Sequence, residues 1–369
     1  MPFSLAQQKA LALLPKVTGL TSIVFSSLIV FSVWRDKAKR RNPYHRLLAG
    51  ISLVDISASF WLGLSTWPIT RDSGVLWAVG TDATCRLQGF FTQFGISSSF
   101  YNASLSIYYV LVIRYGWKEH QIQRIEPLLH GIPILWALGT SIAGLPLNIF
   151  GNANLWWCWI SPKQDVYRWS FFYGPLWLMI VIVTVNCLVI LLYVRRTEQA
   201  SDKYSFESQE TARTQMHGNG GEEHGSNTDR RQALRRTQSS TDLTLTRKIA
   251  VQSFLYAGAF YLNWFALSLT RLLQTTTGKV YFPLLLIASI TVPMQGLPNF
   301  IVYLRPMFLK MRRERPSEGI FNWMLGSLQV GEAAFASEVG VAGEGVSELN
   351  QQLENSGDDA AVDAADVAA

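Results

Sequence analysis

Charge is scarce in this sequence. Aspartate, glutamate, lysine and arginine make up 16% of its 369 residues, where a soluble domain carries about a quarter. That shortage argues against an ordinary cytosolic enzyme. Positive charge is missing altogether from one stretch: from Pro316 onward there are ten acidic residues and no Lys or Arg. The first 315 residues therefore carry +16, and the whole chain +6. A basic body of this kind suits nucleic acid or a membrane, and the hydropathy pattern decides for the membrane. Histidine is equally sparse, with His45, His120, His130, His217 and His224 the whole set. They fall in loops or at the edges of apolar runs. This argues against a zinc hydrolase, whose chemistry needs several His and carboxylates converging.

What the sequence has is long apolar runs. Val17–Trp34, Leu47–Ile69, Leu87–Ile113, Pro127–Phe150, Ser170–Val194, Ile249–Thr270 and Val280–Leu304 are each long enough as helices to cross ~30 Å of hydrocarbon. Seven such runs between polar loops predict an all-α bundle of seven transmembrane helices. Lys and Arg orient it: alternate connections hold 24 on one side and 8 on the other. Without the ten in the long Arg195–Lys248 loop the ratio is still 14 against 8. The richer side faces the cytoplasm, so the amino terminus is outside. Residues 1–16 read as a short extracellular N-terminus with no small-residue cleavage site after a short apolar core. It is too short to capture a ligand by itself, so whatever is sensed enters the bundle formed by 17–315.

Two cytoplasmic segments are expected to be disordered: 197–246 in the third loop, rich in Ser, Thr, Gln, Gly and Glu, and the acidic tail 316–369. The stretch from Arg230 to Ser240 reads as a basic extension of the sixth helix on anionic lipid. Its alternative reading is a kinase-regulated patch, where phosphate would cancel the Arg charge.

Of three cysteines, Cys187 lies in the apolar fifth run as a packed residue. Cys85 and Cys158 both fall on the outer, oxidising side, where disulfides persist. A bridge would tie the second outer loop across the mouth of the bundle; two free thiols are the alternative. Inside the spans there is one carboxylate, Asp55, and no Lys or Arg. An ionisable group at mid-membrane costs ~2.5–3.5 kcal/mol on insertion scales and marks a functional site, unless it is a protonated group bonded to a neighbouring helix. The last run lacks the lysine that a covalent retinal would need. Neither an internal repeat nor paired broken helices point to a transporter, although a transporter or channel with Asp55 in its permeation path is the alternative to a receptor.

These features together resemble the G-protein-coupled receptors, over about Lys16 to Arg315 apart from the third cytoplasmic loop. Cys85 and Cys158 match the family's bridge between helix 3 and the second outer loop. Asp55 matches its helix-2 aspartate and Trp136 its helix-4 tryptophan. Asn299-Phe300-Ile301-Val302-Tyr303 looks like N-P-x-x-Y with Phe300 in place of proline. Ser99, fourteen residues after Cys85, falls where the family places a serine of its sodium pocket. The resemblance thus implies a polar switch of Asp55, Ser99, Asn299 and Tyr303, with Na+ the one cofactor in view. Phe308, with Arg305, Lys310, Arg312 and Arg313, fits the short amphipathic helix after the last span.

The departures are specific. Tyr108-Tyr109-Val110 stand in place of D-R-Y, with Arg114 the nearest basic residue, and Tyr261-Leu262-Asn263-Trp264-Phe265 replaces C-W-x-P. Helix 1 lacks its usual asparagine. The stretches from Asn42 to Leu48 and from Ser106 to Trp117 look more like the cAMP-receptor-like receptors of slime moulds and other protists.

The resemblance implies a plasma-membrane receptor in which an extracellular small molecule shifts the population of bundle states. Helices 5 and 6 separate on the cytoplasmic side and admit the terminal helix of a heterotrimeric G-protein α subunit, with Arg114, Tyr115 and Lys118 facing it. Pro175 and Pro293 read as flexible points or static kinks. Gln93, Tyr101, Trp157, Asn263 and Trp264 are the candidate ligand contacts. Arg86, Lys163, Arg168, Arg271 and Lys279 ring the outer mouth, where they are expected to snorkel.

Overall fold

The computed structural model describes residues 3–153, 156–218 and 227–314, leaving aside the side chains of 201–242, 311, 313 and 314. The acidic tail 316–369 and the side chains of the Arg230–Ser240 patch lie outside the described residues.

Polar caps start the helices. Helix α1 (Leu5–Arg35) opens on a capping box, in which the Gln7 N–H donates to Ser4 Oγ and the Ser4 N–H to Gln7 Oε1 at 2.9 Å. The segment read as a short extracellular N-terminus is helical from Leu5, because a cap and an apolar face that buries Leu11 and Ala12 precede the membrane run. Asp36 caps the short α2 (Lys37–Arg41). Asn42 Oδ1 then accepts from the Tyr44 N–H at 2.9 Å to start α3 (Pro43–Gly63), with Pro43 at the first position, where no N–H is needed. The Asn42-Pro43 pair is thus a helix start.

The third run crosses as one span, Asp82–Tyr115, with a tightened turn inside it. It consists of α4 (Asp82–Phe94) and α5 (Ser97–Tyr115). Between them the Ile96, Ser98 and Ser99 N–H groups reach carbonyls three residues back, at 3.0–3.2 Å, so the coil tightens there. Helix α5 ends on Gly116 at φ +62°, a left-handed cap that glycine adopts without strain. Helix α6 (Glu119–Gly144) follows, and then an antiparallel hairpin of β1 (Phe150–Asn152) and β2 (Cys158–Ile160). A short α7 (Asp165–Arg168) leads through a π turn, Trp169–Tyr173, into α8 (Gly174–Gly218). Helices α9 (Asn227–Thr277), α10 (Phe282–Thr291) and α11 (Gly296–Glu314) complete the bundle.

Helices α8 and α9 extend far into the loop expected to be structureless. A polar composition forbids burial but not helix formation. Glu198, Gln199, Ala200 and Lys203 are good helix formers, and a helix nucleated in the membrane propagates without a fresh nucleation penalty. The basic stretch from Arg230 does extend the sixth membrane helix in its backbone. The short helix expected after the last span is the distal part of α11, with no break at Tyr303.

Among the described residues, five helical spans are long and apolar enough to cross a membrane, and a sixth if α10 and α11, bent by 54°, are counted as one. Helix α9 is the most polar crossing, carrying buried Gln252 and Asn263. The bend follows from Pro293 in a tight turn (Val292–Met294) and from Gly296. A Cβ on Gly296 would lie 2.1 Å from Ser26 Oγ and 2.5 Å from Ser22 O, so α11 meets α1 at a point only glycine permits.

Three prolines share one arrangement. Each lacks the N–H that would bond the carbonyl four residues back, and in each case a side chain of another helix donates to that carbonyl. Gln93 Nε2 reaches Phe171 O, freed by Pro175, at 3.1 Å. Ser104 Oγ reaches Leu129 O, freed by Pro133, at 3.0 Å. Gln252 Nε2 reaches Val302 O, freed by Pro306, at 2.6 Å. The prolines are docking points rather than free hinges.

Candidate functional site

The hairpin β1–β2 is a lid. Cys158 opens β2 and is joined to Cys85 on the first turn of α4, with a Cα–Cα distance of 5.3 Å. Gln88, one turn further along α4, accepts from the Cys158 N–H at 2.7 Å and donates to Trp61 O and Ser65 O. The lid is thereby fixed to α3 and α4. Trp157 and Trp159 of the lid line a cavity between the helices. Thr92, Phe172, Trp264 and Gln295 contribute from below and from the sides.

Two of the five candidate ligand contacts, Trp157 and Trp264, line this cavity. The others do not. Gln93 is buried and fully engaged: it donates to Thr140 Oγ1 and Phe171 O and accepts from Trp159 Nε1 at 3.0 Å, so it positions the lid tryptophan. The Tyr101 hydroxyl meets His130 Nδ1 at 3.1 Å, and its ring packs against Gly50, between α3 and α6. Asn263 is buried with its carbonyl accepting from Thr291 Oγ1. The expectation that Arg168 and Arg271 snorkel is also overturned. Arg168 is buried, donates to Ile160 O and Ala153 O, and lies over the Trp159 ring. Arg271 pairs with Asp165 and lies over Trp169 and Tyr173. Carbonyls and a carboxylate at the bundle rim hold both cations more firmly than lipid headgroups would.

A polar chain leads down from the cavity floor. Ser98 Oγ lies 2.8 Å from both Gln295 Oε1 and Asp55 Oδ1, and Asn299 Nδ2 donates to Asp55 Oδ2 at 2.9 Å. Asp55 and Asn299 meet as the sequence implied, but Ser99 is replaced by its neighbour Ser98. One residue is about 100° of helix rotation, and the tightened turn at Gly95 resets the phase on which the spacing from Cys85 relied. Ser99 Oγ is buried without a partner. Gln295 was missed, because a glutamine in an apolar run carries no signal of its own. Asp55, Ser98 and the Gln295 amide oxygen are hard oxygen donors of the kind Na+ takes. Below them Tyr303 bonds to Ser32 Oγ at 2.9 Å, beside Lys39.

The cytoplasmic end is closed by tyrosines where the D-R-Y arginine would stand. Tyr44 at the start of α3 and Tyr256 on α9 bring their hydroxyls to 3.2 Å. The Tyr108 and Tyr109 rings pack on Tyr44 at 5.8 and 6.0 Å, and Tyr109 stacks on Tyr256 at 6.4 Å. All four are buried. Beside them Arg46 grips Glu126 through both carboxylate oxygens and joins α3 to α6, with His130 3.6 Å from the same carboxylate. The signals for these contacts were Tyr44 and Arg46 within the Asn42–Leu48 stretch, but nothing local announced Tyr256 as their partner. Arg114 lies against the rings of Tyr115 and Tyr193, and Tyr115 is exposed. Trp136 stacks on Phe100.

A lidded outer cavity, a buried polar relay and a closed cytoplasmic end within one helical bundle define a membrane receptor. The sequence profile described as 7 transmembrane receptor (rhodopsin family) matches residues 26–295. This chain belongs to that family, whose members are G-protein-coupled receptors rather than enzymes. The crystal structure of squid rhodopsin shares the fold, with a TM-score of 0.61 and 15% identity over 90% of each chain. No curated protein matches the chain in sequence.

Proposed function

We propose that this receptor binds an extracellular small molecule beneath the β1–β2 lid and passes that event to a heterotrimeric G protein at the cytoplasmic face of the plasma membrane. The observation that supports this best is the unbroken contact from the cavity floor through Gln295, Ser98 and Asp55 to Asn299, with Tyr303 one turn below. Ser98 has one hydroxyl proton for two acceptors, so a shift of Gln295 on ligand binding changes what Asp55 and Asn299 can bond. Asn299 and Tyr303 then exchange partners as α9 leaves α3 and Tyr44 parts from Tyr256. The cleft so opened receives the G-protein α subunit beside Arg114, Tyr115 and Lys118, which are already exposed in the closed state. Na+ held at Asp55 and Ser98 favours the closed state. Phosphorylation near Ser239 and Ser240 tunes coupling through the third loop.

The finer resemblance to cAMP-receptor-like receptors rests on the cytoplasmic stretches around Tyr44 and Tyr109 and carries no ligand with it. The test is capture of nucleotide-free G-protein α subunits by the purified receptor. A complex that forms with empty subunit and dissolves on adding GTP supports coupling. No complex with any subunit, together with solute flux in liposomes above that of empty vesicles, overturns it.

A further inference from the structure

We infer that the ligand of this receptor is an uncharged, largely apolar molecule carrying one hydrogen-bond acceptor, which the Trp264 indole N–H and the Thr92 hydroxyl receive. The inference rests on the receptor reading and adds the chemistry of the ligand.

The cavity walls are aromatic, and several of its polar atoms are already engaged within the protein. Gln295 is engaged on both sides, accepting from Ser98 and donating to Val292 O. Trp159 Nε1 is bonded to Gln93. Two groups are left over. Trp264 is 3% exposed and its Nε1 has no partner in the protein, and Thr92 Oγ1 is likewise buried and unpartnered. An indole N–H is a donor only, while a hydroxyl donates or accepts. A buried donor left unmade is costly, and a carbonyl, ether or hydroxyl oxygen of a ligand is what relieves it.

Charge is excluded by what surrounds the rings. The nearest cations, Arg168 and Arg271, bond to Ile160 O and to Asp165; each lies against a lining ring, Trp159 or Tyr173, but neither lines the cavity itself. Asp55 is separated from the cavity by Ser98 and Gln295. An ionised ligand would lose its hydration and find no counter-charge.

The test uses the full-length receptor in lipid nanodiscs and a matched set of probes: benzophenone (neutral acceptor), diphenylmethane (no acceptor), diphenylacetate (anion) and benzhydrylamine (cation). Benzophenone should bind, diphenylmethane about three- to tenfold more weakly for want of one hydrogen bond, and neither ion measurably. Trp264→Phe and Thr92→Val keep ring and shape but remove the polar atoms. Each should weaken benzophenone by about three- to tenfold and leave diphenylmethane unchanged, a pattern that general loosening of the pocket would not produce. Tighter binding of either charged probe overturns the inference, as does equal loss of both neutral probes in the variants. Binding by none of the set, in a preparation that still captures nucleotide-free α subunit, overturns it and leaves the receptor reading intact. Failure of that capture counts against the receptor reading instead.

Discussion

Removing the hydroxyl of Tyr44 or Tyr256 should raise signalling in the absence of ligand. Phenylalanine keeps each ring in the aromatic cluster and deletes the 3.2 Å contact between α3 and α9, together with the hydroxyls' contacts to Gln252 and, from Tyr44, to Tyr109. A buried hydrogen bond contributes about 0.5–1.5 kcal/mol net, and a partner left short of a bond adds a desolvation penalty of about 1–3 kcal/mol. Both fall on the closed state alone, because separating α9 from α3 brings the hydroxyls to water. A shift of ~1.4 kcal/mol is tenfold, so a receptor about 1% open would become about 10% open. Ligand-free GDP release from a G-protein α subunit in proteoliposomes reads that population directly, and the rate should rise several-fold in Tyr44→Phe and in Tyr256→Phe. The double variant loses the shared Tyr44–Tyr256 bond only once, so its effect on basal release should be smaller than the sum of the two single effects. Unchanged basal release in both single variants, or strictly additive effects in the double, would refute the reasoning.

Three further outcomes are expected. Asp55→Asn should reach the membrane folded, since the asparagine oxygen still accepts from Asn299 or Ser98, but it should abolish any stabilisation by Na+ seen in thermal melts of the parent and alter ligand-driven coupling. Cys85→Ser should lower the melting temperature, the bridge contributing about 2–4 kcal/mol for a loop of 73 residues; it should also weaken ligand binding by freeing the lid, measured as a faster off-rate. Ser104→Ala should destabilise the detergent-solubilised receptor by about 1 kcal/mol, the scale of one interhelical hydrogen bond in a membrane protein; no shift in unfolding temperature would show that Leu129 O finds water instead.

The sequence revealed the bundle because membrane crossing imposes long apolar runs that no neighbouring residue can disguise. Cys85, Cys158 and Asp55 were legible because each is chemically out of place, a pair of outer thiols and a carboxylate in hydrocarbon; Asn299 was legible only through its resemblance to N-P-x-x-Y. Ser98 and Gln295 were not, because serine and glutamine satisfy themselves locally and only rotation about the helix axis decides which one reaches Asp55. Counting from Cys85 assumed one unbroken helix, and the turn at Gly95 invalidated the count for Ser99. Tyr101 and Gln93 were misplaced in the same way: depth along the helix was read correctly, but facing was not. Arg168 and Arg271 were assigned to headgroups because nothing in their spacing announces Ile160 O or Asp165 as partners. Polar composition between Thr197 and Thr246 argued against ordered structure, yet the backbone is helical up to Gly218 and again from Asn227.

The prolines at positions 175, 133 and 306 carry a consequence for how this sequence can drift. Each forms a two-residue lock with a donor on another helix, Gln93, Ser104 and Gln252 respectively. Replacing the proline gives the carbonyl a helix N–H, and since the oxygen accepts twice the side-chain donor becomes redundant; replacing the donor while the proline stands leaves the carbonyl bare. The donor is therefore free to change only once the proline has gone. In an alignment of relatives the donor should be lost only where the proline is absent. Covariation at Pro133 with Ser104, or at Pro306 with Gln252, would record which helices were neighbours long after the apolar faces between them had lost recognisable similarity.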